Sequence, residues 1–239
     1  MTTLRHTPLL LLIIALLAVQ TATMPAAAQD DDVVYRNEFG VVAGVSSMLD
    51  DTNRRLFGSN GLTGGALLRF VLNPRSAVKV LATYNNAKGD TGTDYDNFYP
   101  VTIDVPSPDK ARYTYSGGIV DVSATYELHF LPYGYVRGYQ GFRRFTPYIQ
   151  AGLGFTYSLI GKAFTPNIPI GIGFKWKASR RVNISLDWAM HFTPNDNLDG
   201  IAASTGIKSE MFRAKDHYAQ TLLTLTYDIS PKCPTCNRD

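Results

Sequence analysis

From residue 38 onward, apolar side chains recur at every second position. The clearest case is Val182 to Phe192: Val182, Ile184, Leu186, Trp188, Met190 and Phe192 alternate with Asn183, Ser185, Asp187, Ala189 and His191. Between Val120 and Phe130, the set Val120, Val122, Ala124, Tyr126, Leu128, Phe130 alternates with Asp121, Ser123, Thr125, Glu127, His129. A helix would scatter both sets around its circumference, whereas a strand puts each on one face. The same period marks eight segments, near 38–48, 62–73, 77–86, 115–131, 145–158, 168–177, 182–192 and 217–229.

Connection lengths add an independent constraint. Asn73-Pro74-Arg75-Ser76 and Ala178-Ser179-Arg180-Arg181 are tight, whereas 87–114 and 193–216 are long. Starting residue 38 at one end of an up-and-down meander puts both tight turns, and both chain ends, at that end. Both long loops fall at the other. This is the asymmetry of bacterial membrane barrels, which have short periplasmic turns and longer outer loops. The 132–144 connection is longer and the 159–167 connection shorter than the rule wants. The expected fold is all-β: an eight-stranded antiparallel up-and-down transmembrane β-barrel.

A secreted β-sandwich or a lipocalin-like barrel also alternates. What separates them is which face is greasy. One face here is rich in Gly, Ser and Thr, small enough for a narrow lumen. The other carries large apolar residues, with Phe130, Tyr157, Trp176, Phe192 and Tyr227 toward strand ends, where interfacial girdles lie. The apolar face is therefore assigned to lipid.

The N-terminus fits this destination. Arg5 precedes an unbroken apolar run of eleven residues, Leu9–Val19. Met24-Pro25 ends that run, and Ala26-Ala27-Ala28 offers a cleavage site. A helix needs about 20 residues to span a bilayer, so this run reads as an export signal. The expected domains are a cleaved signal peptide over 1–28, an outer-membrane barrel over 29–229, and a periplasmic tail over 230–239.

With this phase, Glu38, Arg69, Lys79 and Glu127 point inward on four consecutive strands, at similar depth toward the tight-turn end. Lys175 and Asp187 point inward and face each other across the Ala178–Arg181 turn. Charges inside a narrow lumen must pair. The expected pairs are Glu38–Arg69 and Lys79–Glu127. Together they read as a polar plug rather than a pore, because eight strands leave no room for a solute channel.

Composition removes other classes. Net charge of +3 leaves no footprint for nucleic acid. Charged residues make up 18%, below the roughly 25% of soluble domains. No G-x-S-x-G elbow occurs, His129, His191 and His217 sit on different strands, and no H-x-x-x-H spacing is present. No catalytic residue, metal site or cofactor is therefore assigned, although small outer-membrane barrels include lipid A-modifying enzymes. The acidic stretch Gly89–Asn97 matches no EF-hand and reads as a solvated loop. Cys233 and Cys236 follow the last strand, in an oxidising compartment by the same parity. They read as a small disulfide loop or a partner contact. Zinc would need two more ligands, and a redox role would need a thioredoxin fold.

Three stretches together resemble the PorG family of Bacteroidota: Phe145-Thr146-Pro147-Tyr148-Ile149-Gln150-Ala151-Gly152-Leu153-Gly154, Phe192-Thr193-Pro194-Asn195-Asp196-Asn197-Leu198-Asp199-Gly200-Ile201, and Pro231-Lys232-Cys233-Pro234-Thr235-Cys236-Asn237. The L-D-G-I loop with the K-C-x-x-C-N tail is the more specific part. The resemblance implies a non-enzymatic outer-membrane component of the type IX secretion system, anchoring a periplasmic PorK–PorN ring. The partners it implies are outer-membrane lipid and that ring. A small barrel with surface-binding or membrane-stabilising duties and no secretion partner is the other expectation.

Overall fold

The computed structural model describes residues 35–49, 57, 60–90, 114–134, 143–200 and 215–231. These form eight strands: β1 (Tyr35–Leu49), β2 (Asn60–Asn73), β3 (Ser76–Asp90), β4 (Thr114–His129), β5 (Phe145–Ser158), β6 (Ala163–Lys177), β7 (Val182–Phe192) and β8 (His217–Pro231). Each strand pairs antiparallel with its sequence neighbour, and β1 pairs with β8 from Leu49↔His217 down to Tyr35↔Pro231, so the sheet is a closed barrel. Closure leaves no strand edge, the one sheet arrangement that hydrocarbon tolerates.

The turn between β2 and β3 is Pro74-Arg75, with a bulge between Val71 and Asn73. Asn73 Oδ1 accepts the Arg75 N–H at 2.8 Å, the side-chain bond that favours Asn at turn starts. This turn, the β4–β5 and β6–β7 connections and both ends of the described barrel lie at one end, called here the turn end. The β5–β6 turn and the β7–β8 segment lie at the loop end.

Two expectations need correction. β6 begins at Ala163 rather than 168, so the β5–β6 connection shrinks to residues 159–162. Pro166 and Pro169 disguise the start of this strand, since proline removes a ladder donor. Yet Phe164, Pro166 and Ile168 still alternate outward with buried Ala163, Thr165 and Asn167. The β5–β6 register skips Gly152–Leu153 opposite Ile168–Pro169, without a shift in phase. The lumen is also not uniformly polar. Val42, Leu67, Leu81 and Leu222 point inward and form a buried apolar cluster on β1, β2, β3 and β8. They pack on one another and need no polar partner.

The outer wall is the reverse of a soluble protein's surface. Leu62, Leu153, Phe164, Leu223 and Phe155 are each more than half exposed, while Arg69, Lys175, Glu127 and Asp121 are fully buried. Trp188 stands half-buried on the outside. Phe70, Phe130, Phe145, Trp176 and Tyr227 are exposed toward the turn end. A band of this kind is stable only against lipid or detergent.

Leu223 lies near mid-strand on the outer face, 57% exposed. Leu223→Arg is expected to cost about 2–4 kcal/mol of folding stability in a phospholipid bilayer. Denaturant titration in vesicles measures it, and a change within the few tenths typical of a solvated surface would remove this face from the membrane.

Candidate functional site

The interior is organised in layers from the turn end to the loop end. At the turn end, Tyr133 reaches in from the β4–β5 connection. Its hydroxyl donates to Asn183 Oδ1 at 2.7 Å, and its backbone N–H donates to Pro74 O at 2.9 Å. The ammonium groups of Lys175 and Lys177 lie 4.5 and 5.3 Å from its ring centroid. Lys177 also binds Asp228 Oδ2 at 2.6 Å. Burial holds the Tyr133 phenol well above its ordinary pKa, with Glu38 adding to the rise.

Directly above lies a continuous chain of charge. Lys175 Nζ is 2.5 Å from Glu38 Oε1, and Glu38 Oε2 is 2.7 Å from Arg69 Nη1. Arg69 Nε is 2.8 Å from Glu127 Oε2, and Glu127 Oε1 is 3.3 Å from Lys79. Lys79 then reaches Asp187 Oδ2 at 3.7 Å. Three cations and three anions thus alternate across six strands. Cation and anion balance, so none of these buried charges stands alone. Lys79 also donates to Gln150 Oε1 at 2.6 Å, and Thr226 donates to Glu38 at 3.2 Å.

The pairs Glu38–Arg69 and Lys79–Glu127 are thus within ion-pair distance. The expected Lys175–Asp187 juxtaposition is not what the structure contains. Lys175 opposes Ser185, Asp187 opposes Gly173, and each finds its charge partner elsewhere. In a lumen this narrow, a long side chain such as Lys175 reaches across the barrel and pairs beyond its neighbours in the sheet. Asp187 instead accepts from the Tyr148 hydroxyl and from Thr224 at 3.3 Å. Gly173 makes this possible: it sits opposite both Tyr148 and Asp187, and a Cβ there would meet Asp187 Oδ1 at 2.6 Å. Cys233 and Cys236 lie outside the described residues.

A second polar layer lies nearer the loop end. Asp121 Oδ2 accepts from Tyr218 at 2.8 Å and from Asn167 at 2.5 Å. The His191 ring stacks on Tyr218 with centroids 4.4 Å apart. Gln220 donates to Asn85 Oδ1 at 2.8 Å and to Thr83 at 3.1 Å. Sequence reasoning selected six charged residues and passed over Asp121, Lys177 and Asp228, together with Tyr148, Tyr218, Gln150 and Asn167. Their signal was parity alone, since each occupies an inward position of its strand.

Above this layer the mouth is shut. Met48, Ala87, Tyr115, Ile119, Ala163, Leu198 and Tyr218 form one buried apolar cluster, with Ile160 against it. Leu198 comes from the segment after β7 and is fully buried. Its carbonyl accepts from Ser158 Oγ at 2.5 Å, and its N–H donates to Asp216 Oδ2 at 2.8 Å. Gly200 then turns the chain with φ of 84°, where a side chain would be strained. The barrel is therefore stoppered by Tyr133 at one end and Leu198 at the other. Among the described residues, no three His, Cys, Asp or Glu side chains gather as a metal ion requires.

A family model, described as a domain of unknown function, DUF6089, matches residues 10–238. The chain belongs to the DUF6089 family. No curated protein matches this DUF6089 chain in sequence. Among solved structures it is similar to Neisserial surface protein A, with 11% identity and a TM-score of 0.45 over 81% of this chain and 97% of that one. It is also similar to Ail, the attachment invasion locus protein of Yersinia pestis, with 11% identity and a TM-score of 0.41 over 82% and 99% of the two chains. The outer membrane protein OprG from Pseudomonas aeruginosa gives 10% identity and a TM-score of 0.40 over 82% and 95%.

Arg69 is the central link of the charge chain, and Arg69→Met leaves Glu38 and Glu127 without it. The expected loss is about 3–5 kcal/mol of folding stability in detergent or bilayer. Adding Glu127→Gln is expected to cost less than the sum of the two single changes, because the residues are coupled. A double-mutant cycle from denaturant midpoints measures this, and strict additivity would mean that the pair does not interact.

Proposed function

We propose that this barrel is a non-enzymatic structural component of the outer membrane that anchors a periplasmic ring assembly of a type IX-like secretion system. The observation that carries the reading is the lumen stoppered at both ends. A closed lumen leaves no route for a solute, and the fully buried Asp121 and His191 offer no surface to a substrate. What remains for the molecule to do is to hold something at its ends.

The turn end suits that task. Both β1 and β8 terminate there, so the proposed tail 230–239, with Cys233 and Cys236, extends from it. Its exposed charges among the described residues are all arginines: Arg36, Arg75, Arg143, Arg144, Arg180 and Arg181. Among the described residues no exposed Asp or Glu accompanies them there; Asp228 is buried. A rim of one sign favours an acidic partner. The resemblance of the Leu198-Asp199-Gly200-Ile201 loop and the Cys-containing tail to PorG supplies the identity of that partner. In this reading residues 1–28 are the export signal, and the chain is placed in the outer membrane.

A second reading has its own support. The segment after β7 is pinned by Leu198 and Asp216 across the loop end, which gives that end a defined shape. A small barrel that binds a ligand outside the cell would use such a surface.

Capture on the tagged full-length barrel separates the two. Recovery of the periplasmic ring proteins is expected, with loss of that recovery on deleting 230–239 and weakening with Arg75→Glu plus Arg143→Glu. Failure to recover ring proteins from cells that make them would overturn the secretion role. A changed lipid A mass spectrum in a deletion strain would overturn the non-enzymatic one.

A further inference from the structure

We propose that Arg181, Tyr35 and Tyr227 form a site for the phosphate of a phospholipid headgroup in the leaflet at the turn end. The inference rests on the barrel being embedded in a membrane. Three separate pieces of chain meet at the site. Tyr35 opens β1, Tyr227 lies on the outer face of β8, and Arg181 closes the β6–β7 turn. The turn is clamped, because Asp228 N–H donates to Arg181 O at 2.7 Å and the Ala178 and Ser179 N–H groups donate to Val182 O at 3.0 and 3.1 Å.

The clamp fixes where the guanidinium lies. Arg181 Nε donates to the Tyr35 hydroxyl oxygen at 2.8 Å, and Nη1 donates to that of Tyr227 at 3.3 Å. Its Cζ stands 5.3 Å from the centroid of the Tyr35 ring. The planar fork is therefore held at the outer wall. Its Nη2 edge has no partner among the described residues, and Arg181 is exposed. Each phenol accepts from the arginine and keeps its own O–H to donate. The site thus places a positive charge beside several donors, with no exposed carboxylate near them among the described residues. A phosphate is the anion such a fork matches.

Position decides between a lipid and a soluble anion. Both tyrosines sit on the outward side of the wall. Tyr227 shares the turn-end aromatic band with Trp176, Phe145 and Phe70, all exposed. Aromatic bands of this kind sit at headgroup level. An acidic protein docking along the barrel axis would meet Arg75 and Arg143 at the rim, whereas Arg181 faces sideways into the lipid. The neighbouring Arg180, also exposed, adds a second charge and favours an anionic headgroup.

The test is native mass spectrometry of the full mature barrel, refolded in detergent and titrated with phosphatidylglycerol. The wild type is expected to retain one lipid. Arg181→Gln, and separately Tyr35→Phe with Tyr227→Phe, are expected to weaken retention on the order of tenfold. Arg75→Gln, at the rim, should leave retention unchanged, and Arg181→Lys should fall between, having charge without the fork. Heat-modifiable migration on gels shows that each variant is folded. Equal retention by wild type and Arg181→Gln overturns the proposal. Displacement of the lipid by an equal concentration of inorganic phosphate also overturns it, as does dependence of ring-protein capture rather than lipid on Arg181. A chain that stays folded in water and takes up no detergent would instead refute the membrane reading beneath it.

Discussion

The structure depends on one constraint: no backbone donor or acceptor may be left open to hydrocarbon. Pairing of β1 with β8 meets it by joining the first described strand to the last along nearly their whole length. Until that ladder forms, two strand edges are open and the apolar wall has no sealed inside. Everything polar in the chain is arranged around the closed ring. Side chains that cannot face lipid are directed into a lumen only a few residues wide.

That narrowness explains the interior. Charges in so small a space cannot be hydrated individually, so they are wired into an alternating chain from Lys175 through Glu38, Arg69, Glu127 and Lys79 to Asp187. Ion pairs of this kind add little net stability over an apolar filling. Each link ties one strand to another. The apolar cluster of Val42, Leu67, Leu81 and Leu222 fills the adjoining volume more simply, with no demand on phase beyond size.

Much of this was legible in the amino-acid order. Period two marks all eight strands because one face meets lipid and the other does not, and the parity of short and long connections orders the ends. Inward charge followed from phase, so Glu38, Arg69, Lys79, Glu127, Lys175 and Asp187 could be named. Pairing across the lumen could not, since it depends on strand stagger and side-chain reach: Lys175 meets Glu38 on β1, not Asp187 one turn away. Nor could the two stoppers. Tyr133 and Leu198 belong to irregular segments, where no periodicity says which side chain folds back into the mouth. The start of β6 was hidden by prolines that a strand pattern ordinarily excludes.

Those prolines have a consequence for the wall itself. Pro166 and Pro169 carry no N–H, and the register between β5 and β6 is interrupted beside them at Gly152–Leu153. Every other seam in the barrel is zipped by an unbroken run of matched residues across its middle. Because successive N–H groups along a strand point to opposite neighbours, two prolines three residues apart take one ladder donor from each side of β6.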